Sequence, residues 1–320
     1  MTQAKGIYSK TLMAFETADG VDPTDVATSA ILIPFTKNSL LASQNSTDST
    51  ILRGRRDPAE PTPGNVTVDG DIPTAVDSTV TGYLLKGAFG NPTTTENTAD
   101  STYTHVYKPG NTQPSLMIEK GFPDIGTYHK YNGCKVSKID MSVGGDGELL
   151  ATYSFMGEKE TIGTASVGTT PKEPVLDKFT QFDADLELGG NTMAIATALT
   201  LSIDMGLDGE TQTIGSKGYR TSVNEGLIKI SGKLTAFFTS SEYIKLAADN
   251  TTTSMKLTLT NGKKVFSIYL PEIRFTRNSP AVDGAAGIKQ ELNFNAFYKE
   301  NTEKAAIVLS LTNDTASYAA

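Results

Sequence analysis

Along most of this chain, brief runs of alternating apolar and polar residues are separated by Thr, Ser, Gly, Asn and Asp. A period of two puts successive side chains on opposite faces of a strand, so the pattern predicts half-buried β-strands. In GNVTVDGDIPT (64–74), Val66, Val68, Gly70 and Ile72 share one face, and Thr67, Asp69 and Asp71 the other. In GLIKISGKLTAFF (226–238), Ile228, Ile230, Gly232, Leu234 and Ala236 oppose Lys229, Ser231, Lys233 and Thr235. MKLTLTNGKKVFSIYL (255–270) reads as two strands joined at Asn261-Gly262, a pair suited to the positive φ of a tight hairpin. Residues 138–143 and 149–155 flank Gly144-Gly145-Asp146-Gly147 in the same way. The glycine inside each of the two longest strands predicts a close approach or a bend.

Two segments have helical spacing instead. Asp77-Ser78 opens DSTVTGYLLKGAFG, where Val80, Tyr83, Leu84 and Ala88 recur on one side. Thr239 and Glu242 form a capping-box pattern ahead of YIKLAA. Strand, short helix, two strands, turn and strand over 66–155 then recur in the same order over 228–297. Gly70 falls on Gly232, and Tyr83-Leu84 on Tyr243-Ile244. Val136, Ile139 and Met141 are matched to Leu270, Ile273 and Phe275. The chain therefore reads as a duplicated fold: a first domain over 1–160, a linker over 161–178 and a second domain over 179–320. The junction is polar and holds Pro171 and Pro174, as a linker would. Segments 43–64, 91–102 and 204–226 read as loops, and the first and last each precede the long strand of their half. Loops of that length are generally functional.

Composition narrows the chemistry. Thirty-six acids against 28 bases give a net charge of −8 and a pI near 4.9. Nonspecific grip on a phosphate backbone needs a basic surface, so that role is a poor fit. Cys134 is the only cysteine, which excludes an intrachain disulfide and a thiolate metal cage. With only His105 and His129, a three-histidine zinc site is excluded too. The N-terminal residues lack a signal-peptide apolar core, and no run approaches the roughly 20 apolar residues that span a bilayer. The expectation is a protein made or assembled in a cytosol-like compartment, without membrane contact.

No reactive constellation stands out. Cys134 lies near His129 and Asp124, but it begins an alternating strand and reads as a small buried filler. Asp183, Asp185 and Glu187 alternate with Phe182, Ala184, Leu186 and Leu188, which describes one polar strand face better than a carboxylate pair or calcium site. Residues 204–210 miss the twelve-residue calcium-loop pattern. There is no nucleophile elbow and no phosphate loop. No catalytic, cofactor or metal residue is expected, and an enzyme is the remotest class. The one basic run, Arg53-Gly54-Arg55-Arg56, stands beside Asp57 and Glu60. Arginine's planar fork suits carboxylates at an interface, so these five residues are the candidate inter-subunit contact.

KGFPDIGTYHKYNGCKVSKIDMSV (120–143) with the following LLATYSFMG (149–157) resembles the major tail tube proteins of long, noncontractile-tailed bacteriophages. So do GDIPTAVDSTVTGYLLKGAFG (70–90) and the closing VFSIYLPEIRFT and KQELNFNAFYKE. The resemblance spans roughly 30–300 and rests on apolar and glycine placement. It implies an all-β chain of two tandem β-sandwich or barrel-like domains, each with a short flanking helix, lining a ring. It also implies stacked rings around a channel that the tape measure protein occupies and DNA later crosses. Tail terminator and distal tail proteins would cap the ends, in a virion tail assembled in the host cytoplasm. The family commonly builds hexameric rings; a duplicated chain implies three subunits supplying six domains. A channel that releases DNA should be acidic or neutral. Asp69, Asp71, Asp183, Asp185 and Glu187 are its candidate lumen-facing acids. The competing readings are a tail terminator, hub or baseplate protein of related fold, and a β-rich adhesin.

Overall fold

The computed structural model describes residues 3–318 with the exception of 283. Eighteen strands and three short α-helices among the described residues make it an all-β protein, as the alternation predicts. The first half holds β1 (Lys10–Phe15), β2 (Ile31–Leu32), β3 (Leu41–Ser49), β4 (Ala59–Ala75), β5 (Thr93–Asn97) and β6 (Thr102–Tyr107). It continues with β7 (Leu116–Phe122), β8 (Thr127–Val143), β9 (Leu150–Gly157) and β10 (Lys159–Gly163). The second half holds β11 (Ala184–Leu188), β12 (Asn191–Thr192), β13 (Ala196–Asp204) and β14 (Lys229–Phe237). β15 (Thr253–Asn261), β16 (Lys264–Phe275), β17 (Lys289–Ala296) and β18 (Val308–Asn313) complete it. Helix α1 (Val26–Ser29) precedes β2, α2 (Val80–Phe89) follows β4, and α3 (Glu242–Ala248) follows β14.

Both halves pair their strands in one order. β4 lies between β3 and β9, and β9 pairs with the C-terminal part of β8. β14 likewise lies between β13 and β17, and β17 pairs with the end of β16. The N-terminal part of β8 belongs to a second sheet, β2-β1-β7-β8-β10. That of β16 belongs to β12-β11-β15-β16-β18. β8 changes sheet at two register shifts, the first between Tyr131 and Cys134, where Gly133 takes φ +63°, and the second between Val136 and Lys138. Such bulges bend a strand by breaking its ladder locally. Gly70 faces Phe155 and Gly232 faces Phe294, which supports matching the two glycines. Val136 faces Phe155 and Phe275 faces Phe294, so Val136 corresponds to Phe275 rather than to Leu270.

Two ladders join the halves. β8 pairs with β13, from Val143 opposite Leu199 to Lys138 opposite Asp204. This makes one continuous sheet, β3-β4-β9-β8-β13-β14-β17-β16, with β16 joining by its C-terminal end. The β5–β6 hairpin follows α2, and its β6 pairs with β18 of the second half. Segment 91–102, expected as a loop, is largely this hairpin. Apolar faces from both halves meet in one core, in which Val68, Ile72 and Phe155 join Leu201, Leu234 and Leu309. The strand β10 runs to Gly163, so the connection begins at 164, later than expected. It is pinned to the first half by Lys172, which donates its N–H to Ala30 O and accepts from Leu32.

The two equivalent helices differ in burial. α2 buries all but Tyr83 of its length, whereas α3 buries Ala247 alone. α2 is covered by the C-terminal segment and by β6: Lys86 Nζ donates to Tyr318 O at 2.8 Å, and Tyr107 Oη of β6 donates to Gly82 O. The expected capping box at Thr239 is absent; α3 starts at Glu242 behind Ser241, with no side-chain cap. Asp77 caps α2 instead, its Oδ1 accepting the Thr79 and Val80 N–H groups at 2.6 Å each.

Asp77 is fully buried, with Oδ2 lacking a hydrogen-bond partner. Burial raises its pKa from 3.8 to about 6, and the charge of Asp177 pushes the same way. A carboxyl whose folded pKa is raised loses stability as pH climbs from the unfolded value to the folded one, then no further. Asp77→Asn keeps the Oδ1 cap and removes the buried charge. The variant should gain up to about 3 kcal/mol on wild type above pH 6, shrinking to nothing below pH 4. Urea unfolding at a series of pH values measures this, and a gap that does not change with pH would clear Asp77 of the role.

Candidate assembly and channel surface

The continuous sheet buries one face in the core and leaves the other polar. In β4, Val68 and Ile72 face the core, while Thr67, Asp69 and Asp71 alternate outward. Ser154 on β9 donates to Asp71 Oδ1 at 2.6 Å. Across the seam between halves, Lys138, Asp140 and Ser142 stand opposite Asp204, Ser202 and Thr200. Thr200 in turn faces Lys233, and Thr235 faces Glu291. Two lysines on this face have acidic partners, Lys138 with Asp140 and Lys233 with Glu291, both at 2.8 Å, while Lys229 and Lys289 stand on it exposed and, among the described residues, without an ion pair. A shallow concavity of about 800 Å³ follows the seam, bordered by Lys138, Asp140, Ser202, Ser231 and Asn293.

The segment between β13 and β14 (205–228) folds back over the first half. Its anchor is Arg220, whose side chain is 7 % exposed. Nε donates to Gly209 O at 3.0 Å, and Nη1 to Val68 O and Gly157 O at 3.2 and 3.1 Å. The guanidinium fork also meets both oxygens of Asp69, at 3.0 and 3.1 Å. Lys135 donates to Val223 O and to Glu225 Oε1 at 2.7 and 2.9 Å, fixing the end of the same segment. Two strands and a segment from opposite halves are thus locked at one point.

A sequence profile described as the phage tail tube protein matches residues 9–296, from before β1 to the end of β17. The chain belongs to the phage tail tube protein family. No curated protein sequence matches it. As a phage tail tube protein it is a structural component of the virion tail, of a family that self-assembles into a tube. Among its described residues no helix is long and apolar enough to cross a membrane.

In this tail tube protein the five acids expected on one wall do not share a surface. Asp69 and Asp71 lie on the polar face of the continuous sheet. Asp183, Asp185 and Glu187 lie at β11, in the β12-β11-β15-β16-β18 sheet, with Asp185 opposite Thr258 and Glu187 opposite Lys256. Leu186 and Leu188 on the same strand point into the core, so these three acids face the far side of the sandwich. Alternation alone could not separate the sets, because it assigns a face without saying which sheet.

Segment 43–64, expected as a loop, is a β3–β4 hairpin whose tip spans 50–58. Arg55 pairs with Asp57 at 2.7 Å, both largely exposed, and Arg53 donates to Pro58 O at 3.1 Å. Arg56 and Glu60 are exposed. The tail tube protein therefore presents Arg53, Arg55, Arg56, Asp57 and Glu60 on a projecting arm. Arg220 and the Lys135–Glu225 pair carried no mark in the sequence, since a single basic residue in a polar loop resembles any other.

Cys134 is completely buried, and burial pushes its thiol well above the usual range. His105 is buried between Thr94 Oγ1 and Thr315 O. His129 pairs with Glu160 at 2.9 Å and meets the Phe122 ring edge-on. Among the described residues no three His, Cys, Asp or Glu side chains gather at metal-binding distance.

Proposed function

We propose that this tail tube protein forms rings of three chains, each chain giving two equivalent domains, and that stacked rings enclose a DNA channel. The two domains run through β10 and from β11 onward. The observation that carries the reading is the β8–β13 ladder. Within the chain, β8 at the edge of the first domain's sheet pairs with β13 at the edge of the second's. β16 is the second domain's counterpart of β8, and among the described residues no strand pairs with its other edge beyond Ile273. β3 is the first domain's counterpart of β13, and among the described residues only β4 pairs with it. The two free edges are complementary ends of one repeating pattern. A contact of this head-to-tail kind closes when its rotation divides a full turn, and closure also removes exposed strand edges. The bare α3, set against the covered α2, fits a neighbour supplying the missing cover.

The polar face of the continuous sheet lines the channel in this reading. Its wall is mixed rather than acidic: Lys138 and Lys233 are neutralised by carboxylates, and its acids and hydroxyls stand beside Lys229 and Lys289. Asp69 and Asp71 belong to the wall, while Asp183, Asp185 and Glu187 face outside. The resemblance supplies the tape measure protein as the channel's earlier occupant, terminator and distal tail proteins as the ends, and the host cytoplasm as the site of assembly. The arginines of the hairpin arm contact another subunit.

Electron microscopy of the purified protein should give hollow tubes with three chains per ring; six whole chains per ring would overturn the reading. An edge variant tests closure itself. Ser39 donates its N–H to Asp71 O, so by alternation the Ala42 N–H points away from β4, to the free edge. Ala42→Pro removes that donor without breaking the internal ladder. The monomer should melt within about 1 kcal/mol of wild type and form no rings. Undiminished rings would sink closure through β3.

A further inference from the structure

Where the first half meets the segment 205–228, Glu16, Asp19, Asp22, Glu158 and Glu225 gather around Lys130 and Lys135. The turn after β1 folds over β8, with Thr17 donating its N–H to Val21 O. Glu16 at its root takes the local donors. Its Oε1 accepts Asn132 Nδ2 at 2.9 Å and the Gly133 N–H at 3.0 Å, and its Oε2 accepts the Gly20 N–H at 2.8 Å. Asp22 accepts from Asn132 Nδ2 and Lys130 Nζ. Glu158, between β9 and β10, fills the cleft between turn and strand. A Cβ on Gly133 would come 2.4 Å from its Cδ, and one on Gly20 would come 3.5 Å from its Oε2. Lys135 stands at the border, 3.9 Å from Asp19 and 2.9 Å from Glu225 of the second half.

We propose that Glu158 is a proton-operated clasp between the two halves of the chain. Protonated, it lets the turn 16–22 close on Gly133 and leaves Lys135 to hold the segment 205–228. Ionised, it repels the turn and competes with Glu225 for Lys135. The groups that face it are unequal. The turn brings Glu16 and Asp19, with Asp22 beyond them, and β8 brings Lys135 and the buried thiol of Cys134. Across Gly157, Arg220 is taken up by Asp69 and the Gly157 carbonyl. On its own strand Lys159 is exposed and Glu160 pairs with His129. Burial first, then Asp19 and Glu16, raise the Glu158 pKa from 4.5 to about 7 against the pull of Lys135. A carboxyl so displaced binds its proton more tightly closed than open. The closed clasp is therefore favoured in full below pH 4.5, weakens as pH rises to about 7, and then levels. Lys135 also donates to Val223 O, so this cation is what ties the end of the second half's segment to β8. The proposal concerns the single chain and does not rest on the tube reading.

Hydrogen exchange of the whole chain, read by mass spectrometry and corrected for the intrinsic effect of pH, tests the clasp. Between pH 5 and pH 8, peptides covering 16–22 and 221–226 should lose protection together, on the order of a hundredfold for a carboxyl displaced this far. Glu158→Gln keeps the shape of the protonated side chain and should hold both segments closed across that range. Asp77 titrates nearby in pH but is intact in this variant, so a transition that survives in it overturns the assignment to Glu158. Asp19→Asn removes one repelling charge and should move the wild-type transition to lower pH. An unmoved midpoint overturns the proposal, as does a wild type whose protection is the same at both pH values. Loss confined to 16–22 would show that Lys135 does not change partners, and would overturn the clasp between the halves.

Discussion

Arg220→Ala should cost this tail tube protein about 3 kcal/mol of stability, the scale on which removing one partner of a buried charged network acts. The side chain satisfies the carbonyls of Val68, Gly157 and Gly209, and its truncation leaves all three without that donor. The Asp69 arm contributes less, since that carboxylate is 45 % exposed and water replaces its partner. Arg220→Lys keeps the charge but not the planar fork, so it should recover only part of the loss. Urea unfolding of the three proteins decides. A loss under about 1 kcal/mol for the alanine variant would mean that segment 205–228 folds over the first half without this anchor.

Gly70→Val and Gly232→Val should each prevent folding to a soluble protein. A Cβ at Gly70 would sit 2.4 Å from the Leu40 backbone, and one at Gly232 would sit 2.3 Å from Thr200 O and 2.4 Å from the Phe294 ring. Overpacking ordinarily costs about 1–3 kcal/mol because side chains yield, but backbone atoms within a ladder cannot step aside. The cost should exceed that range at both sites. Because the two glycines occupy the same place in the two strand series, the variants should fail alike. Soluble yield and circular dichroism measure this. Native-like melting of either variant would show that the neighbouring chain separates from its strand more easily than the packing indicates.

The misread segments share a cause. β3 runs LASQNSTDS, with almost every side chain exposed on both faces. It is held by its ladder to β4 rather than by burial, and a strand that buries nothing leaves no apolar period to read. β10 and β5 escaped for the same reason, being short and largely polar and exposed. By contrast, α2 was legible because its apolar residues recur at helical spacing, and the Asn261-Gly262 hairpin because Gly262 takes φ +60°.

The sequence by itself determined the all-β class, the core-facing residues of β4 and β14, the placement of Gly70 and Gly232, and the resemblance to tail tube proteins. Each of these depends on local periodicity or on residues a few positions apart, which a strand imposes wherever it lies. Only the tertiary structure decided that Asp69 and Asp71 share a wall with Lys138 and Lys233 while Asp183, Asp185 and Glu187 turn away. It alone placed Arg220 on Val68, Gly157 and Asp69, and joined β8 to β13 in one sheet. The physical reason is that a two-residue alternation states which side chains share a face, whereas sheet membership is set by backbone hydrogen bonds between strands distant in the chain.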